Sequence, residues 1–120
     1  MNNLLFLCTG NYYRSRFCEE YFNYQVQARR LPWRADSRGL APDITVFRNP
    51  GSLSPQTRQA LRRLGVALGA ERRDPLSAQP DNWSKVHCMI ALSRFEHQPK
   101  REPCFPADAA VEYMACAVRE

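Results

Sequence analysis

Residues 4–7 form an unbroken apolar run, LLFL, ending at Cys8. A strand with one face in water alternates between apolar and polar positions, so a run without interruption is the pattern of a strand covered on both faces, as in a parallel sheet. From Ser15 the period changes. Phe17, Tyr21, Tyr24 and Ala28 recur near helical spacing, with Glu19 and Glu20 early and Arg29 and Arg30 late, the charge order that complements a helix dipole. Pro32 stops this helix, and residues 33–37 read as a second strand leading into Arg38-Gly39. A polar, turn-rich stretch follows, with Asn49-Pro50-Gly51-Ser52 its clearest turn. Ser54-Pro55 then supplies a capping residue and a proline at the first helical position, and Ala60, Leu61 and Leu64 give that helix its apolar stripe before Gly65.

Residues 75–82 read as a connecting loop, with a short helix over residues 79–85. VHCMIAL, residues 86–92, is a second buried strand; residues 93–100 are expected to be helical, and VEYMACA, residues 111–117, to be a final strand. Strands and helices alternate throughout, which predicts an α/β fold: an open parallel four-stranded sheet with helices on both faces and right-handed crossovers. A length of 120 residues fits a single domain spanning 1–120, and 44% hydrophobic residues with nine scattered prolines leave no segment polar enough to stay unfolded on composition alone.

The net charge is +5, and only Lys85 and Lys100 are lysines among the 17 basic residues. Arginine forks suit phosphate and carboxylate oxygens, so an anionic partner is compatible with the bias. The pairs Arg29-Arg30, Arg62-Arg63 and Arg72-Arg73 lie far apart, however, and read as solvated surface. No basic stripe or aromatic platform points to nucleic acid. Five cysteines, at 8, 18, 88, 104 and 116, contain no CxxC pair and no His/Cys ligand spacing, which argues against a metal centre. No apolar run approaches membrane-spanning length and the N-terminus lacks a basic leader, so a reducing cytoplasm is the expected compartment.

In an open parallel sheet, ligands bind beyond the carboxyl ends of the strands, and Cys8 sits at such an end. Gly10 permits positive φ and Asn11 tolerates it, so the backbone N–H groups of the following turn can curl into an anion nest, to which the next helix adds its positive end. A thiol at the focus of that ring, beside Arg14, sits in fields that favour the nucleophilic thiolate. Spacing alone carries little, because Cys88 and Arg94 have the same separation; the residues between them read as strand and contain no glycine.

LLFLCTGNYYRSRFCEEYF resembles the opening of the low-molecular-weight protein tyrosine phosphatases, whose phosphate loop runs cysteine, any residue, glycine, asparagine, two residues, arginine, serine. DSRGL and CMIAL fit later elements of that family more loosely. The resemblance implies a phosphomonoester hydrolase acting through a cysteinyl-phosphate, with no cofactor and no metal. Cys8 is then the nucleophile, Arg14 grips the phosphoryl oxygens, and Ser15 donates a hydrogen bond to the sulfur; Ser15 can also cap the helix. The backbone of Thr9, Gly10, Asn11, Tyr12, Tyr13 and Arg14 is expected to bind phosphate, while Asn11 supports the loop's shape with Ser37 as a hydrogen-bonding neighbour. The implied partners are phosphate or a phosphorylated protein or small molecule.

This chain departs from the family's pattern. Tyr13 stands where several members carry a second loop cysteine, and Arg16 replaces the usual proline, adding a cation expected near the mouth. Tyr12 and Tyr13 can form an aromatic wall. The family's aspartate-proline loop, which supplies the general acid, has no counterpart here. Asp108 precedes the final strand and belongs at the opposite sheet edge, leaving Glu120 as the carboxylate candidate. The family's closing helix also has no counterpart, from which self-association is expected. Two alternatives follow: an arsenate reductase, for which Cys88 and Cys104 lack a close relay pair, and a non-catalytic phosphate- or phosphoprotein-binding module. His87, His97 and the remaining cysteines read as structural or exposed.

Overall fold

The computed structural model describes residues 1–69, 72–92 and 112–113. In chain order the main elements are β1 (Asn2–Cys8), α1 (Arg14–Ala28), β2 (Trp33–Gly39), α2 (Pro55–Arg63), β3 (Cys88–Ala91) and β4 (Glu112–Tyr113), with 3-10 turns at Ile44–Phe47 and Pro80–Lys85. The sheet is parallel and four-stranded in the order β2-β1-β3-β4. The expected α/β architecture is what forms. Of the anticipated final strand, residues 112 and 113 are described; the helix expected over residues 93–100, and Asp108 and Glu120, lie outside the described residues.

β1 occupies an interior position, and its apolar run is explained by the two clusters it feeds. Leu4, Phe6 and Cys8 pack with Ala35 and Leu92 on the face where Cys18 and Phe22 of α1 also pack. Leu5 and Leu7 face the other way, against Leu40, Ala78, Met89 and Ala91. Edge-to-face packing of Phe6 on Phe22, with centroids 6.0 Å apart, ties the strand to the helix.

α1 does not bury the face that hydrophobic periodicity picks out. Tyr24 is 42% exposed and Ala28 is exposed, whereas Ser15, Arg16, Glu19, Glu20 and Val26 are buried. The acidic residues do not sit in its first turn, nor do basic residues occupy its last, so the expected dipole pairing is replaced by burial of a charged stripe. That stripe faces the segment carrying Arg72 and Arg73, which supplies the counter-charge.

Two further features set the site. Ser54 caps α2, its side chain accepting from the Thr57 N–H at 2.9 Å with Pro55 at the first helical position, as the sequence indicates; Leu61 is fully buried, while Leu64 is exposed at the cap. Beyond β2, the Gly39 N–H donates to the Leu76 carbonyl and Ala78 N–H to the Gly39 carbonyl, which stitches residues 76–78 beside the strand's end. No helix among the described residues is long and apolar enough to cross a membrane.

Candidate functional site

β1 ends at Cys8 and α1 begins at Arg14, so residues 9–13 must turn the chain within the space above the sheet edge. The turn is made by Asn11, at φ 54°, in the left-handed region that asparagine visits more readily than most residues. Gly10 does not take positive φ, contrary to expectation; a Cβ there would only reach ordinary contact with the Phe47 ring at 3.5 Å. The glycine the geometry does require is Gly39. A Cβ at that position would lie 2.6 Å from the Thr9 carbonyl oxygen and 3.2 Å from the Asn11 nitrogen, so the strand end and the loop pass too closely for any side chain.

The loop is held from three sides. Leu40 and Ala41 donate backbone N–H groups to the carbonyls of Cys8 and Thr9, at 2.7 and 3.1 Å. The Ser54 N–H donates to the Tyr12 carbonyl at 3.1 Å, tying the far half of the loop to the start of α2. The Tyr12 hydroxyl donates to the Pro50 carbonyl, and burial is the main reason its phenol is held above the ordinary tyrosine range, with Tyr13 adding to it.

Two donors converge on the sulfur. The Asn11 N–H lies 3.2 Å from Cys8 Sγ, and Ser15 Oγ lies 2.8 Å from it. The surroundings of Ser15 orient its hydroxyl. Asn11 Oδ1 accepts from Arg73 Nη1 and from the Leu76 N–H, both at 3.0 Å, which fixes the amide so that Nδ2 is the outward donor. Nδ2 then donates to Ser15 Oγ and Ser37 Oγ, each at 2.8 Å. Ser15 Oγ accepts there and keeps its own hydrogen available to the sulfur, which as a thiolate can only accept. The Ser37 hydroxyl likewise accepts from Asn11 and Arg73 and donates to Glu19 at 2.6 Å.

Cys8, Ser15, Asn11 and Ser37, expected together, are therefore brought together, and all four are buried. Ser15 serves the sulfur and not the helix start, where Tyr13 is the cap residue and makes no side-chain cap bond. Arg14 lines a cavity of about 290 Å³ with Cys8, Thr9, Gly10, Tyr12, Tyr13, Phe47 and Asn49. The tyrosines meet edge to face at 4.9 Å on one part of that mouth, and Phe47, 44% exposed, contributes a ring the sequence did not point to. Among the described residues lining it there is no carboxylate.

Sequence reasoning misplaced three arginines. Arg16 is not at the mouth but fully buried, with Nη1 donating to the Ser52 and Arg73 carbonyls at 2.8 and 2.9 Å. Burial, and next Arg73, hold its guanidinium below the ordinary arginine range. Arg72 Nη2 donates to both oxygens of Glu20 at 2.6 Å, and Arg73 joins Asn11, Glu19, Asp36 and Ser37. Only the approach of residues 72–73 to α1 and β2 reveals this; the adjacent carboxylates Glu19 and Glu20 were the available clue in sequence. Cys18 and Cys88 pack against the core cluster beside α1, in keeping with a structural role, and the exposed His87 accepts from the Asn3 N–H through Nδ1 at 3.0 Å. Cys104, Cys116, His97 and Arg94 lie outside the described residues.

Comparison with solved structures finds the same arrangement of elements. The low-molecular-weight protein tyrosine phosphatase from T. tengcongensis superposes with a TM-score of 0.75 at 24% identity over 96% of this chain and 73% of that one. Vibrio vulnificus Wzb in complex with benzylphosphonate gives 0.75 at 16% identity, covering 95% and 72% of the two chains. A product-state mimic of a protein tyrosine phosphatase from Entamoeba histolytica gives 0.75 at 16% identity, covering 100% and 76%. In a low-molecular-weight phosphotyrosine phosphatase from Vibrio cholerae, the chain spans 66% of the length. No family model and no curated protein matches the chain.

Proposed function

The fold is that of the low-molecular-weight protein tyrosine phosphatases, and from it and the loop geometry we propose that this chain is a cysteine-dependent phosphomonoester hydrolase. The observation that carries the reading is the convergence of the Asn11 N–H and the Ser15 hydroxyl on Cys8 Sγ at the floor of an open cavity lined by Arg14. In the first step the sulfur attacks phosphorus, the S–P bond forms, and the P–O bond to the leaving group breaks. The amides of residues 9–14 and the Arg14 guanidinium stabilise the equatorial oxygens. In the second step water attacks phosphorus and the S–P bond breaks, with the Ser15 O–H stabilising the departing thiolate. A reducing compartment such as the cytoplasm suits a free nucleophilic thiol.

With no carboxylate among the described residues at the mouth, turnover favours aryl phosphates whose oxygen leaves without a proton. Hydrolysis of p-nitrophenyl phosphate by the wild type, its loss in Cys8→Ser, and retained phosphate binding by that variant are the expected results. A wild type that binds phosphate and turns over nothing identifies a phosphate-binding module instead, a reading favoured by the same lack of a carboxylate. Across a series of substituted phenyl phosphates the rate should fall steeply as the leaving phenol becomes more basic; a flat dependence identifies a proton donor outside the described lining residues.

A further inference from the structure

We propose a second anion site, separate from the cysteine loop, in a cavity of about 550 Å³ bounded by α1, β2 and Arg72-Arg73, taking a compact polyanion of the oligophosphate kind. Its lining is charged and unbalanced. Among the described lining residues six cations, Arg16, Arg34, Arg38, Arg72, Arg73 and Lys85, face three carboxylates, Glu19, Glu20 and Asp36, an excess of three positive charges.

The pairings show which cations remain. Arg72 is committed to Glu20 at 2.6 Å, Arg38 to Asp36 at 2.8 Å, and Arg73 to Glu19 and Asp36 at 2.9 and 3.1 Å. Those contacts occupy all three carboxylates. Among the described residues Arg34, which is exposed, makes no ion pair, and Lys85 pairs only with the exposed Asp81, at 3.6 Å. Arg16 decides the case. It is fully buried, its Nη1 is satisfied by two carbonyls, and among the described residues its Nε and Nη2 have no hydrogen-bond partner; the Glu19 carboxylate oxygen stands 4.0 Å from Nε. A buried guanidinium with unanswered N–H groups against the wall of a cavity leaves positive charge there that a bound anion compensates.

The chemistry of the ligand follows from what lines the rest of the cavity. Among the described lining residues Leu4, Ala35 and Val86 are the apolar side chains, and no aromatic ring is present to stack a base or an aryl group. Recognition therefore rests on charge, and guanidinium forks match phosphate oxygens in geometry as well as sign. The cavity exceeds the roughly 290 Å³ at the cysteine loop, which fits a ligand with more than one phosphoryl group.

The test uses pyrophosphate as the probe and the full chain carrying Arg14→Ala, which removes the loop's own guanidinium, at about 0.15 M salt so that surface attraction is screened. Calorimetry should give one equivalent bound, with a rise in melting temperature. Adding Arg34→Gln and Lys85→Gln, two exposed positions whose replacement leaves the core intact, should weaken binding about tenfold or more. Arg16→Met should abolish it. Absence of both heat and melting shift in the Arg14→Ala chain overturns the proposal, as does unchanged affinity in the variant that adds Arg34→Gln and Lys85→Gln. Neither result bears on p-nitrophenyl phosphate hydrolysis by the chain with Arg14 intact, so this site and the proposed activity fail separately.

Discussion

Asn11 does two jobs that can be separated by mutation. Its backbone adopts a left-handed turn, and its side chain makes four hydrogen bonds, two accepted from Arg73 and Leu76 and two donated to Ser15 and Ser37. Asn11→Gly and Asn11→Ala both lose the side-chain bonds, but only alanine also strains the backbone, so Asn11→Ala should be the less stable by about 1 kcal/mol in urea unfolding. Ser15 reaches the sulfur through its hydroxyl while its oxygen accepts from Asn11 Nδ2. A hydrogen bond to a charged group is worth about 1.5–3 kcal/mol, so on the proposed mechanism Ser15→Ala should slow breakdown of the cysteinyl-phosphate by roughly 10- to 150-fold. The measurement is a rapid-mixing experiment with p-nitrophenyl phosphate: a larger burst followed by a slower steady state supports the assignment, and an unchanged steady state removes it.

The loop's shape is imposed by the elements around it. β2 contributes through Gly39, where an added Cβ meets backbone, which cannot rotate away. Gly39→Ala should therefore cost about 1–3 kcal/mol and lower phosphate affinity, both visible in one thermal-melt series with and without phosphate. α2 contributes through its first turn. Ser54→Ala removes a cap worth about 1 kcal/mol, or roughly 4 °C in melting temperature for a domain of this size, while the Ser54 N–H bond to the Tyr12 carbonyl survives because it is backbone. Phosphate affinity should thus fall far less in Ser54→Ala than in Gly39→Ala. α1 shows why hydrophobic periodicity misled: a helix normally buries its apolar stripe, but here the buried positions 15, 16, 19 and 20 carry hydroxyl and charge.

Across the molecule, the charged network behind the loop sets how stability responds to acid. Burial pushes the Asp36 carboxyl up, yet the Ser37 N–H, Arg38 and Arg73 outweigh it and hold the group below its ordinary 3.8. Stability from Asp36 is therefore present above about pH 4 and lost as pH falls through the depressed folded-state value. Glu19 has the opposite sign: burial raises it above 4.5 despite the Ser37 hydroxyl, Arg73 and Arg16, so its contribution is present in acid and lost as pH rises through the raised value. With its side chain 48% exposed, the Asp36 pairing is screened, and Asp36→Asn should cost under about 1 kcal/mol at neutral pH. Urea melts from pH 7 to pH 2 should show the variant and the wild type converging at the acid end; a constant gap would exclude this origin.

The amino-acid sequence determined by itself whatever is local. An uninterrupted apolar run made β1, Ser54-Pro55 opened α2, and a cysteine followed by glycine, asparagine, arginine and serine marked the loop, because each signal is written in neighbouring residues that act on one another through a few bonds. Only the tertiary structure decided the burial of Arg16, the attachment of Arg73 to Asn11 across 62 positions, and the need for glycine at position 39. Those depend on where separate segments meet in space, and a charged side chain reads as solvated in sequence until another segment, arriving with its own charge, encloses it.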